Sequence, residues 1–191
     1  ANFKGELVPM DAAGRQSAYE VAEDMRADGI KVLAVAYSTT SSDWGDLVLC
    51  GFLGFFDRPK ASARAAVRAL SDLSVEVRVL TGDSASVARS TCSRLGIPAD
   101  SVITGSMLDA MEESEALVRV GRTRVFAELT PAQKAHVVSL IRLSGHTVGY
   151  IGDGVNDVPA LTSADVGIVV DSAAAESKKV ADLVLLERDL G

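Results

Sequence analysis

Short apolar runs alternate with stretches of helical spacing over the C-terminal two-thirds of the chain. "VEVRVL" (Val75–Leu80) is rich in β-branched residues and predicts a strand ending at Thr81-Gly82-Asp83. "SASVARSTCSRLG" then predicts a helix closed by Gly96, with Pro98 just beyond. "SVITG", "TRVFAEL", "TVGYIG", "DVGIVV" and "DLVLLE" are further strand candidates, separated by helical stretches that include Leu108–Val120 and Pro131–Leu143. Thr130 suits the N-cap of the second of these and Pro131 its first turn. Repeated strand–helix units of this size predict an α/β fold, a mainly parallel sheet with helices on both faces.

The first third has a different rhythm. "GELVPMDAAGRQSAYEVAEDMRADG" predicts a turn or short strand, then an amphipathic helix ending at Gly29. "IKVLAVAYS" and "DLVLCGFLGFF" follow as two apolar strands with a polar stretch between them, which predicts an antiparallel pair. Pro59 in "DRPK" restricts its own backbone and that of its predecessor, and suggests a boundary there. We expect two parts, residues 1–56 and 57–191.

A chain of 191 residues buries enough surface to need no disulfide or structural metal, roughly 70% of what it exposes unfolded. Its net charge of −7, with no basic stripe, argues against nucleic-acid binding. Cys50 and Cys92 are far apart and outside any CxxC pattern, and predict reduced, mostly buried thiols. No apolar run approaches the ~18–20 residues that span a bilayer. The opening "ANFKGELVPM" has neither an initiator Met nor a basic-then-apolar start, which suggests a chain cut from something longer.

Three candidate loops each follow a predicted strand, and doubly wound sheets gather such loops at one edge, where ligands bind. In "LTGDS" a Thr hydroxyl and turn amides could cradle a phosphate, or Asp83 or Ser84 could simply cap the helix. In "ELTPAQK", Lys134 could bring an ammonium to a phosphoryl oxygen, or be a surface lysine. His136 and His146 carry no special task. In "YIGDGVND", Asp153 and Asp157 offer the hard oxygens Mg²⁺ takes, Asn156 a donor for a phosphoryl oxygen, and Gly152 and Gly154 a close turn.

"TGD", the lysine of "TPAQK" and "GDGVNDVPAL", in this order, resemble the phosphorylation domain of P-type cation-transporting ATPases within the haloacid dehalogenase superfamily. "FFDRPK" resembles the family's hinge motif, and "DGIKVLAVAY" the last part of its nucleotide-binding domain. The resemblance covers essentially the whole chain and is strongest to the bacterial magnesium-transporting branch, in "GFLGFFDRPK", "FAELTPAQK" and "VVDSAAAESKKVADLVLLE". It implies a Rossmann-like sheet, with residues 1–56 the tail of a nucleotide-binding domain and 57–191 an incomplete phosphorylation domain.

The resemblance also implies roles. Asp153 would be the principal Mg²⁺ ligand, with Asp157 as a second metal-side residue that, with Asn156, orders the loop and the phosphoryl group. Thr81 and Gly82 would hold phosphoryl oxygens, and Lys134 would neutralise developing charge. Asp83, Lys31 and Asp57 would lie on the nucleotide side, with ATP and Mg²⁺ as cofactors. Such chemistry runs by positioning and electrostatics.

The family's nucleophile, the aspartate of Asp-Lys-Thr-Gly-Thr, does not occur here, nor does Thr-Gly-Glu-Ser. The resemblance therefore implies the soluble, catalytic part of an ATP-driven cation pump, working through an aspartyl-phosphate and itself unable to turn over ATP. Its partners would be the transmembrane, actuator and nucleotide-binding parts of the same pump, and its place the cytoplasmic face of the cell membrane. Proton or calcium transport, a stand-alone phosphatase and a non-catalytic binding module are the alternatives. Lys31 stands where the family commonly has Arg, Glu128 where many members have Arg, and Arg58 in place of the first hinge proline.

In the family the nucleophile's strand lies between those ending at Thr81 and Asp153. Its absence predicts two strands with unpaired edges. The sheet is then expected to close the gap directly, pair with another copy, or rearrange.

Overall fold

The computed structural model describes residues 2–3, 6–38, 47–56 and 59–186. Two units partition the chain, Ala1–Arg58 and Pro59–Gly191. In the first, β1 (Asn2–Phe3) and β2 (Glu6–Leu7) pair antiparallel ahead of α1 (Ala12–Ala27). Asp11 caps that helix by accepting from the Gly14 amide at 2.7 Å, and Gly29, at φ 81°, ends it. β3 (Lys31–Ser38) and β4 (Leu47–Phe55) form the expected antiparallel pair, with a register shift between Val35 and Ala36. Among the described residues of this unit the one buried apolar side chain is Ala22, while Leu33, Tyr37, Leu53 and Phe55 stay exposed.

The second unit begins with α2 (Ala63–Asp72), β5 (Val79–Leu80) and α3 (Ala85–Leu95). β6 (Val102–Thr104), α4 (Gly105–Asp109), α5 (Glu113–Arg122) and β7 (Val125–Ala127) follow. The rest is α6 (Pro131–Leu143), β8 (Gly149–Gly152), a 3₁₀ turn (Val155–Asp157), α7 (Val158–Ser163), β9 (Val166–Val170), α8 (Ala175–Val180) and β10 (Leu183–Leu185).

These strands make two separate parallel sheets, in the orders β5-β7-β6 and β10-β9-β8. β5, which leads to Thr81, is an edge of one sheet, and β8, which leads to Asp153, is an edge of the other. Direct closure is thus not what the chain does: among the described residues no ladder joins β5 to β8.

Alternate residues of β7 point to opposite faces. Phe126 enters a core with Val137, Leu140 and Ile141 of α6 and Val120 of α5, while Val125 and Ala127 meet Ala88 and Cys92 of α3. The first sheet is therefore covered on both faces. On the second, Val169 packs with Val138 of α6 and Leu161 of α7, but the row Ile151–Ile168–Leu183 leaves Ile151 and Leu183 exposed.

Helix α6 serves both cores. Its start is fixed by a reciprocal capping box, in which the Thr130 hydroxyl accepts from the Gln133 amide at 3.3 Å and Gln133 Oε1 accepts from the Thr130 amide at 2.9 Å. Leu140 is 1% exposed in this helix, and truncating so buried a leucine costs about 2–5 kcal/mol.

Two expected elements differ. The expected single helix over 108–120 is two helices, because the Thr104 hydroxyl caps α4 early and Gln133 Nε2 holds both the Gly105 carbonyl and Asp109. The strand expected over 75–80 is confined to Val79–Leu80. Its first residue is spent on the end of α2, where the Val75 amide donates to the Leu70 carbonyl at 2.9 Å.

Candidate functional site

The loops after β5, β7 and β8 are linked in series. The Thr81 amide donates to the Phe126 carbonyl at 2.9 Å, and the Leu129 amide returns to the Thr81 carbonyl at 3.0 Å. The Thr81 hydroxyl accepts from the Asp83 amide at 3.0 Å, which folds Thr81-Gly82-Asp83 into a tight turn. From α6, Lys134 Nζ reaches Asp157 Oδ1 at 2.8 Å and so ties the second loop to the third.

Ser84 stands at the N-cap of α3 but makes no side-chain cap bond. The acceptor comes from across the loops: Glu128 Oε1 takes the Ala85 amide at 3.2 Å while the Glu128 amide donates to the Asp83 carbonyl at 2.8 Å. Glu128 adopts φ 57°, left-handed backbone that a residue with a Cβ rarely takes. Its carbonyl also packs where a Cβ on Gly105 would come within 2.6 Å. Glu128 thus holds the turn in place, a role that the sequence reading left unassigned.

Asp157 is the most engaged group of the site. Oδ1 accepts from Lys134 Nζ and from the Tyr150 hydroxyl at 2.9 Å, and Oδ2 faces the amides of Asp153 and Gly154, each at 3.4 Å. Burial alone would raise its pKa, but the hydrogen bonds from Lys134 and Tyr150, the Lys134 charge and the Gly154 amide together hold it below the usual carboxylate value. Burial, followed by the Asp157 charge, pushes the Tyr150 phenol well up, so it stays a donor. Expected at the metal, Asp157 spends its oxygens on the lysine, the tyrosine and its own loop.

Two supports went unread in the sequence. Tyr150 lies seven residues before Asp157, and its inward position on β8 was the available signal. Ser177 of α8 is fully buried and donates to the Gly154 carbonyl at 2.8 Å, while the Ala174 amide donates to the Asp153 carbonyl at 3.0 Å. Nothing local marks Ser177, because its partner is 23 residues away.

The glycines differ as well. A Cβ on Gly152 would meet Asp157 Cβ at 2.6 Å, so the carboxylate needs a glycine there. Gly154 has φ −103° and nothing closer than 3.9 Å to a Cβ, so close turning does not depend on it.

Asp153 and Asn156 are exposed, and the Asp153 side chain accepts no hydrogen bond from the described residues. Among those residues no three His, Cys, Asp or Glu side chains converge. A site with one uncommitted carboxylate fits Mg²⁺, which keeps several waters and takes one or two carboxylates. Lys31 opens β3 in the first unit, opposite Phe55. Asp57 lies outside the described residues, as does Arg58. His136 and His146 are exposed.

The chain is similar to Magnesium-transporting ATPase, P-type 1 of Escherichia coli K12, 38% identical over 97% of this chain and 22% of that protein. The protein of the same name in Salmonella typhimurium LT2 is 40% identical over 96% of this chain and 21% of its own length. Cation-transporting ATPase pma1 of Synechocystis is 36% identical over 97% of this chain and 21% of its own. The chain therefore spans about one-fifth of the length of these relatives. Among its described residues no helix is long and apolar enough to cross a membrane. The haloacid dehalogenase-like hydrolase model matches residues 17–165, well over half of the sequence, and the chain belongs to that family.

Proposed function

We propose that this chain is the catalytic part of an ATP-driven cation pump of the P type, with magnesium as the transported ion. The observation that carries the reading is the 2.8 Å contact of Lys134 Nζ with Asp157 Oδ1, which joins the loop region after β7, the central strand of one sheet, to the loop after β8, an edge strand of the other. A lysine fixed there can offset charge that develops on a transferring phosphoryl group. Three magnesium- or cation-transporting ATPases at 36–40% identity support the pump and, more narrowly, the ion.

In this reading Asp153 would hold Mg²⁺, which would supply charge screening for phosphoryl oxygens, and Asn156 would donate to the phosphoryl group. Asp157 holds Lys134 and the loop, and so positions rather than ligates. The Thr81-Gly82-Asp83 turn, braced by Glu128, presents the Thr81 hydroxyl and the Gly82 amide to phosphoryl oxygens, the Thr81 and Asp83 amides being spent within the chain. The residue that accepts the phosphoryl group lies in another part of a longer protein, on a strand that fits between β5 and β8. Residues 1–56 are the end of the nucleotide-binding domain, and Lys31 there, with Asp57 just beyond, serves ATP. The remaining transmembrane, actuator and nucleotide-binding parts are its partners, and it works at the cytoplasmic face of the membrane.

The test compares the 191-residue chain with the full gene product in membrane vesicles. The full protein should take up phosphate from Mg-ATP onto an aspartate and hydrolyse ATP, with Lys134→Met and Asp153→Asn each abolishing turnover. The isolated chain should release none. Turnover of a small phosphate ester by the isolated chain would replace this reading with that of a stand-alone phosphatase.

A further inference from the structure

A concavity lies at the opposite end of the first sheet from the candidate site, against the residues that enter β5 and β7. It has a volume of about 420 Å³ and is lined by Arg64 and Arg68 of α2, Arg124 just before β7, and Glu76. Val77, Ile97 and Pro98 add an apolar portion to the lining. Three guanidiniums against one carboxylate give the lining a net charge of +2 on a chain of net charge −7.

The charge is not internally spent. Arg124 Nη2 lies 3.4 Å from Glu76 Oε2, but the other oxygen of that carboxylate is taken by Arg78 Nε at 2.7 Å. Arg64 and Arg68 are exposed and make no ion pair with the described residues. They stand four apart on α2, a spacing at which like charges repel. Arg64 Nε reaches to within 3.8 Å of where a Cβ on Gly96 would sit, so its head lies over the open backbone at the end of α3.

A second, independent feature falls in the same place. α1, α2, α3 and α6 each end with a residue at positive φ followed by an amide that reaches back into the last turn, the arrangement that glycine favours. Three of the four use Gly29, Gly96 and Gly145, at φ 78–88°. The fourth uses Ser74, at φ 62°, and Ser74 lines the cavity. A residue with a hydroxyl stands where the backbone would be better served by glycine.

We propose that this cavity binds a phosphate monoester carried on a compact apolar body. The dianion matches the net charge of the lining, guanidinium forks match phosphate oxygens in geometry, and the apolar side chains of the lining take the ester's substituent. The volume lies in the range of small-molecule sites. The site stands apart from Thr81, Lys134 and Asp153 and does not depend on the pump reading.

Titration of the ¹⁵N-labelled 191-residue chain with phenyl phosphate tests it. Saturable shifts are expected at the amides of Ser74, Gly96 and Ile97, with inorganic phosphate weaker and benzyl alcohol silent. Arg64→Gln with Arg68→Gln should weaken binding by at least about tenfold, while Lys134→Met leaves it unchanged. Ser74→Gly should raise the thermal midpoint yet weaken binding about threefold, which a merely structural serine would not do.

Cosedimentation with phosphatidylcholine vesicles, with and without phosphatidic acid, separates the sources. Capture that needs phosphatidic acid and both arginines assigns a lipid headgroup, and phenyl phosphate binding without capture assigns a free metabolite. Shifts confined to Gly82, Asp83 and Asp153, no saturation by roughly 10 mM ligand, or binding indifferent to the arginines would overturn the proposal.

Discussion

Gly152 and Asp157 are packed so closely that a methyl group on the glycine would lie 2.6 Å from Asp157 Cβ and 2.9 Å from its Cγ. Neither atom is the free end of a flexible side chain, so Gly152→Ala must displace the carboxylate or the strand. We expect a loss of about 1–3 kcal/mol in urea unfolding, as for other overpacked sites. Gly154→Ala, two residues on, has ordinary φ and open space, and should change stability by less than about 0.5 kcal/mol. Equal losses at the two positions would contradict the structure.

Asp157 is held below the usual aspartate pKa of 3.8 in the folded chain. Its contribution to stability is therefore fully present above the unfolded value and disappears as pH falls through the lower folded value. Asp157→Asn should cost about 1.5–3 kcal/mol at pH 7, because it weakens the bonds from Lys134 and Tyr150. The gap between the two proteins should close on acidification below pH 3.8, measured by denaturant unfolding at a series of pH values. A gap independent of pH would show that the carboxylate charge is not what matters.

Glu128 combines a cost and a benefit that substitutions can separate. Left-handed backbone costs about 1–2 kcal/mol for a residue with a Cβ, and a capping acceptor contributes about 0.5–2 kcal/mol. Glu128→Gly removes both and should be close to neutral. Glu128→Ala keeps the strain and loses the acceptor for Ala85, so it should be less stable than the glycine variant by about 1 kcal/mol. Thermal unfolding of the pair decides the matter.

The two cysteines should react differently. Burial pushes the Cys92 thiol up to about 11, and its side chain is fully enclosed, whereas Cys50 is exposed on β4. A disulfide reagent at pH 8 should therefore modify one thiol in the folded chain and two in denaturant. Two rapid equivalents without denaturant would mean that the core around α3 opens.

Local chemistry made some of the molecule legible in advance. The start of α6 could be read because Thr130 and Pro131 mark it locally, and the end of α3 because Gly96 takes the left-handed backbone that closes a helix. The split of the helix expected at 108–120 could not, since it depends on Gln133 reaching back to Gly105 and Asp109. Strand β5 was read too long because Val75, though β-branched, serves the end of α2, and Arg78 reaches the carbonyls of Val120 and Gly121. Cys50, expected to be mostly buried, is exposed because β4 leaves much of its surface uncovered.

The candidate site divides in the same way. Residue types at fixed spacing pointed to Thr81, Lys134, Asp153 and Asp157, but spacing carries no information on who faces whom. The Lys134–Asp157 contact, the Tyr150 hydroxyl beneath it and the Ser177 hydrogen bond all join residues distant in the chain or on different elements. Their assignment needed the packing of α6 and α8 against the loop.

Helix α6 places Val137, Leu140 and Ile141 in one core and Val138 in the other, and it carries Lys134 at its N-terminal turn. Among the described residues no ladder joins the two sheets, and α6, with Leu80 and Val148, packs against both cores. An object that wedges them apart loads α6 against one core or the other, and where it shifts α6 against α7 the lysine tip moves with it. The ammonium–carboxylate contact is then a gauge of how wide the seam stands, so that occupancy of the seam and readiness of the lysine become a single mechanical variable.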